Sequence, residues 1–189
     1  MNTAVMQSYE TGVLDPAVHG RLLQNLGLYA RRANIPETMI LHKMSQFDCS
    51  SDEIDYVRAI KRQAAAGHYG LVYTGDGSTV LTRMMGVAGA CVRNFVDAKL
   101  MTIQELLAKI KEGDVPDASV LLVPNFFIAK SEGGHIAAWN IAELLGVLFA
   151  RMAKGQQTFL YVSDFKALRM TYGEAIADHL ENHFVKIDA

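Results

Sequence analysis

From residue 70 onward, short apolar runs alternate with amphipathic stretches. Gly70-Leu71-Val72-Tyr73-Thr74-Gly75 reads as a strand that ends in a glycine turn, and a helix is predicted over 79–94. A weaker strand follows at 98–101. Thr102 and Glu105 have capping-box spacing, which starts a helix at 103–111, and Gly113 with Pro116 ends it. Ser119-Val120-Leu121-Leu122-Val123 is apolar after its first residue, as in a parallel strand covered on both faces. After a loop containing Gly133 and Gly134, a helix over 136–153 leads to the strand Thr158-Phe159-Leu160-Tyr161-Val162. A helix at 173–181 and a short strand at 183–187 complete the pattern.

Upstream the signals are helical. Asp15-Pro16 supplies an N-cap and a first-turn proline for a helix over 16–33, whose Val18, Leu22, Leu26 and Tyr29 share one face. Asn34-Ile35-Pro36 breaks it. Ser50 and Glu53 form a second capping box, starting a helix over 51–66 that Gly67 stops. Strict strand–helix alternation after residue 70 implies right-handed crossovers. The expected architecture is a three-layer α/β domain, 35–189, with a five-stranded parallel sheet flanked by helices, behind a helical N-terminal extension, 1–34. Ligands of such sheets gather at the carboxyl ends of the strands, so chemistry is to be sought in the turns after Thr74, Val123 and Val162.

Composition narrows the class. Half the residues are apolar and a fifth are charged, which excludes a disordered tail, a collagen-like repeat and a polyampholyte coiled coil. Eighteen basic against 20 acidic side chains give −2, too balanced for a dominating grip on nucleic acid, although local basic patches remain open. Cys49 and Cys91 alone build neither a disulfide framework nor a zinc knuckle, which suits a reducing cytoplasm. The first eight residues lack the cationic start and apolar run of a secretory signal. Asn140, Glu143 and Arg151 interrupt the apolar stretch 136–153, so no membrane span is expected.

The turn Gly75-Asp76-Gly77-Ser78-Thr79 sits where a phosphate-binding loop would. A Walker A loop, G-x-x-x-x-G-K-[ST], wraps phosphates in backbone N–H groups and neutralises them with lysine. Here Ser78 takes the lysine position, and the loop is three residues short if Gly75 is its first glycine. Thr79 remains as a candidate magnesium ligand, and Arg83, one helical turn further on, is a poor substitute for a loop lysine aimed at the phosphates. After the third strand, where an ATPase of this architecture needs an acidic pair, stand Pro124 and Asn125. Asparagine takes no proton, so general-base chemistry fails there on residue type. After the fourth strand Asp164 would repel a γ-phosphate.

Read with their flanks, these stations resemble a known family. Ile35-Pro36, Met44-Ser45-Gln46-Phe47-Asp48, the strands at 70–75, 120–123 and 159–163, and Tyr172-Gly173-Glu174-Ala175-Ile176-Ala177-Asp178-His179-Leu180 fall in the order of the DnaC/IstB family, AAA+ helicase loaders and transposition helpers. The resemblance spans 35–187 and implies strand order 5-1-4-3-2. Where the family carries Asp-Arg-Leu, its arginine serving the nucleotide site of an assembled ring, this chain has His179. No lid domain or second sensor is expected after Ile187.

Gly75, Gly77, Ser78, Thr79, Pro124, Asn125, Asp164 and His179 are therefore expected to be remnants of a nucleotide site, with no catalytic residue, cofactor or metal. The implied protein is an inactive, protein-binding adaptor or scaffold in a replication, transposition or other machine, with a replicative helicase as one candidate partner. One alternative is an active loader that binds ATP and Mg2+ through Thr79, Arg83 and a neighbouring subunit. Another is a small DNA-binding protein using Arg58, Lys61 and Arg62.

Other candidates are weaker. His179 and His183 have i,i+4 spacing but no third ligand, and His183 is predicted to start a strand, so the pair reads as a polar helix end. Ser163-Asp164 lacks the G-x-S-x-G nucleophile elbow of a hydrolase. On the 136–153 helix, Ile141, Leu144, Leu145, Leu148 and Met152 form one face, and Trp139, Ala142, Val147 and Phe149 widen it. Asn140, Glu143, Arg151 and Lys154 are left as a narrow polar stripe. Such a helix is expected to be buried against the sheet and its neighbours, or to meet another protein in part.

Overall fold

The computed structural model describes residues 3–129 and 136–189. The predicted loop glycines Gly133 and Gly134 lie outside the described residues. The chain opens with α1 (Thr3–Glu10), α2 (Pro16–Gln24), α3 (Leu26–Ala33) and α4 (Glu37–Leu41), then a 3-10 turn at Met44–Phe47, α5 (Ser51–Arg58) and α6 (Ile60–Gln63). The alternating part follows as β1 (Gly70–Thr74), α7 (Val80–Arg93), β2 (Ala98–Leu100), α8 (Ile103–Lys111), β3 (Val120–Phe127), α9 (Ala138–Ala153) and β4 (Gln157–Val162). It closes with α10 (Phe165–Tyr172), α11 (Glu174–His183) and β5 (Val185–Asp188).

The predicted caps form. Asp15 accepts the Ala17 N–H at 2.8 Å. Ser50 and Glu53 cap each other reciprocally at 3.2 and 2.7 Å, as do Thr102 and Glu105 at 3.2 and 2.7 Å. Two predicted helices are broken. The 16–33 helix is interrupted at Asn25, whose side chain donates to the Arg21 carbonyl and competes with the helix for that group. The 51–66 helix turns at Ala59 and tightens into a 3-10 turn at Ala64–Ala66, which brings both Tyr56 and Ile60 into the core. Helices α1, α4 and α10 were not predicted; α4, with five residues, is too short to display a period. His183 ends α11 rather than starting a strand, because the helix runs on and the Phe184 N–H still bonds the Leu180 carbonyl.

All five strands are parallel in the order β2-β3-β4-β1-β5, the expected 5-1-4-3-2 counted from the other edge. Alternate residues of β1, β3 and β4 feed two cores. Leu71, Tyr73, Val120, Leu122, Phe159 and Tyr161 meet the N-terminal helices and α7. Val72, Leu121, Val123, Leu160 and Val162 meet α8 to α11. The N-terminal helices thus share one apolar layer with the sheet, and they approach closely: a Cβ on Gly89 of α7 would lie 2.1 Å from the Met39 carbonyl oxygen of α4.

The helix α9 buries Leu144, Val147 and Leu148, while Trp139 and Phe149 stay 52% and 46% exposed. Its polar stripe does not face solvent as a unit, since Asn140 and Arg151 are buried. Arg151 donates to the carbonyls of Pro116, Ala118 and Gln157 and to the Thr158 hydroxyl, at 2.7–3.1 Å. These partners explain its burial: the guanidinium ties the end of α9 to the starts of β3 and β4. Desolvation lowers its pKa to about 10, so it remains a cation at neutral pH. Among the described residues no helix is long and apolar enough to cross a membrane.

Candidate functional site

The loop between β1 and α7 lies at the carboxyl end of the second strand from one edge of the sheet. Gly75 adopts a left-handed φ of 101°, which releases the chain from the strand. Asp76 then folds over its own loop, one oxygen accepting the Ser78 N–H at 3.2 Å and the other the Ser78 hydroxyl at 3.1 Å. A loop that cradles phosphate leaves such N–H groups for the ligand. In this loop a carboxylate of the same chain takes one.

Tyr161 of β4 closes the loop from the sheet side. Its hydroxyl donates to the Gly75 carbonyl at 2.9 Å, and a Cβ on Gly77 would meet that hydroxyl at 2.5 Å. Gly77 is therefore required by the tyrosine ring, whatever its value to a phosphate. Burial, with the Asp76 charge second, pushes the Tyr161 phenol up. Gly77→Ala is expected to lower stability by about 1–3 kcal/mol through overpacking. In a Tyr161→Ala background that cost should disappear, read from urea unfolding midpoints; additive costs would place the glycine's role elsewhere.

Behind the loop lies a buried polar cluster. Arg83 points inward from α7, donating through Nε and Nη2 to one Glu53 oxygen at 3.0 and 2.6 Å and through Nη1 to the Asp188 carbonyl of β5 at 3.0 Å. Glu53 is 0% exposed and Arg83 4%. The guanidinium stacks over the Tyr73 ring at 5.3 Å. Cys49 donates to the Arg83 carbonyl at 3.6 Å, and burial, with the Glu53 charge second, pushes its thiol up to about 12. That thiol is inert at neutral pH. The sequence offers Arg83 only as a poor substitute for the loop lysine, within the alternative of a rebuilt ATP site; the fold commits it to this cluster.

The remaining stations are also occupied by local tasks. Asn125 accepts the Ile103 N–H at 2.8 Å and donates to Gln104 at 3.0 Å, capping α8. Between the pairs Val123↔Leu160 and Phe127↔Val162, β3 advances four residues while β4 advances two. This irregularity contains Pro124, which has no N–H for the ladder. Asp164 caps α10 by accepting the Ala167 N–H at 2.9 Å, and the Ser163 hydroxyl accepts from the Ala129 N–H at 2.9 Å. Thr79 precedes α7 without a side-chain cap bond.

His179 is not at a polar helix end. It is 5% exposed, packed among Phe149, His183 and Phe184 with ring centroids 4.8, 5.1 and 5.8 Å away, and neither ring nitrogen has a hydrogen-bond partner among the described residues. Burial first, and the His183 charge second, lower its pKa to about 4, so it is neutral at physiological pH. Its neighbour Asp178 pairs with Arg169 of α10 at 2.7 Å. No cluster of three or more potential metal ligands occurs among the described residues.

The loop and Asp164 therefore stand at the ends of β1 and β4 and His179 on α11, whereas Pro124-Asn125 lie inside β3, which runs on past the irregularity to Phe127 instead of turning after Val123. The parallel order, helices on both faces and a glycine turn after the first strand define a three-layer α/β fold with a five-stranded parallel sheet. No family model matches the chain, and no curated protein matches it. Among solved structures it is similar to DnaI, with a TM-score of 0.54 and 17% identity over 82% of this chain and 90% of that one. It is similar to a protein described as a primosome component of Streptococcus pyogenes serotype M3, with a TM-score of 0.55 and 15% identity over 88% of this chain and 96% of that one. A replication initiator DnaA bound to AMPPCP and single-stranded DNA gives a TM-score of 0.56 and 12% identity over 78% of this chain. The chain spans about half the length of the initiators it matches, 50%, 48% and 44%.

Proposed function

We propose that the chain is a nucleotide-independent, protein-binding pseudo-ATPase, an adaptor or scaffold subunit resembling the DnaC/IstB loaders and acting in a cytoplasmic replication, transposition or related assembly. The observation that carries this reading is the loop: its Ser78 N–H is held by Asp76, and its nearest helix-borne cation, Arg83, is committed to Glu53. These residues do not fit a triphosphate, because the donors and the positive charge that would receive it are already engaged. Neutral His179 adds to this, since a ring titrating near 4 carries no charge to place on a transferring phosphoryl group. A working site rebuilt from Thr79 and Arg83 would first have to break the Glu53–Arg83 pair.

Thermal unfolding with and without Mg-ATP tests the proposal. A ligand at 100 times its Kd adds about 2.7 kcal/mol, and each kcal/mol raises Tm by about 2–4 °C for a domain of this size. The expected result is an unchanged Tm at millimolar Mg-ATP and no phosphate release. A rise of several degrees would establish a live nucleotide site.

A further inference from the structure

At the far end of α7, about 20 Å along the helix from the loop, a groove of about 720 Å³ runs between the Met44–Phe47 turn, α5–α6 and the last turn of α7. Five of the chain's 18 Lys and Arg side chains line it: Lys43, Arg58, Lys61, Arg62 and Arg93. None of the described lining residues is acidic and none is aromatic. In a chain of net charge −2, this is a marked local concentration of positive charge. Lys43, Lys61 and Arg62 form no ion pair among the described residues, while Arg58 makes only a solvent-exposed pair with Asp55. Arg93 is anchored by donating to the His42 carbonyl at 2.6 Å. The floor is aliphatic, from Met44, Val57 and Ile60.

We infer that this groove docks an acidic amphipathic helix of a partner protein. Three features select that occupant. The aliphatic floor offers burial to apolar side chains on one face of a peptide, and the cationic rim complements carboxylates on the other. Single-stranded nucleic acid is disfavoured because the groove presents no aromatic ring on which bases stack. The inference holds whether or not the loop at the other end of α7 binds nucleotide.

Fluorescence anisotropy on the full chain tests it with a labelled helical peptide of about sixteen residues, leucine on one face and glutamate on the others. A charge-reversed lysine peptide and an oligo-dT strand serve as comparators. The acidic peptide alone is expected to bind. Lys61→Glu with Arg62→Glu should weaken it at least about tenfold, through like-charge repulsion at the rim. Both side chains are exposed, so the Tm of that variant should be unchanged, and serine in place of the peptide leucines should also abolish binding. Binding of oligo-dT without the peptide would overturn the inference in favour of nucleic acid. Absence of binding to all three would reduce the groove to a solvated cationic surface.

Discussion

Replacing Arg83 by methionine is expected to cost about 3–5 kcal/mol of folding stability, because it leaves an unpaired charge in the interior. Glu53 is fully buried, and Arg83 is the only ion-pair partner it has among the described residues. The same guanidinium also reaches the Asp188 carbonyl, so α5, α7 and β5 lose a common tie. The discriminating comparison is the double variant Glu53→Gln with Arg83→Met, which removes the stranded charge and should regain a substantial part of the loss. Urea unfolding of the wild type, both single variants and the double variant completes the cycle. A single Arg83→Met variant within about 1 kcal/mol of wild type, or a double variant no better than the single, would show that the pair does not hold the fold.

Acidification is expected to destabilise the protein through His179. The folded state holds this ring at about 4, below its usual 6.5. Between those values the unfolded chain takes up a proton that the folded chain refuses. Stability is therefore complete above about pH 6.5 and declines as the pH falls toward 4, by about 2–3 kcal/mol from this residue. His179→Phe should remove that component, since a phenyl ring suits the cluster with Phe149 and Phe184 and carries no orphan nitrogen. Stabilities of the two proteins at pH 7 and pH 4.5 give the answer as a difference of differences. Equal losses in both would mean that the acid sensitivity lies elsewhere.

What the sequence disclosed and what it withheld follow the reach of each interaction. Ser50 with Glu53, Thr102 with Glu105 and Asp15 with Pro16 satisfy helix ends within a few residues, and α8 begins and ends where its cap and glycine say. The five strands were legible from their apolar runs. Arg83 and Arg151 were not, because a buried arginine reads like an exposed one when its partners are a glutamate 30 residues away or main-chain carbonyls. Gly77 was legible only as part of a glycine turn, because the tyrosine that makes it necessary comes from a distant strand. Asn125 was judged by the acid it does not supply; its role as a cap for α8 depends on where β3 bends. His179 stands between Asp178 and Leu180, so its own sequence does not settle its burial; Phe149 of α9 and Phe184 enclose it.

The placement of β1 bears on how the chain acquires its shape during synthesis. Both of its neighbours are made late: Gly70 pairs with Thr158 in β4, and Leu71 with Val185 in β5. Until those segments emerge, an apolar strand has two unsatisfied edges, and its side chains can shelter only against the helices already made. The α4–α7 contact at Gly89 is available by then, so the N-terminal helices can shield the nascent sheet before it closes.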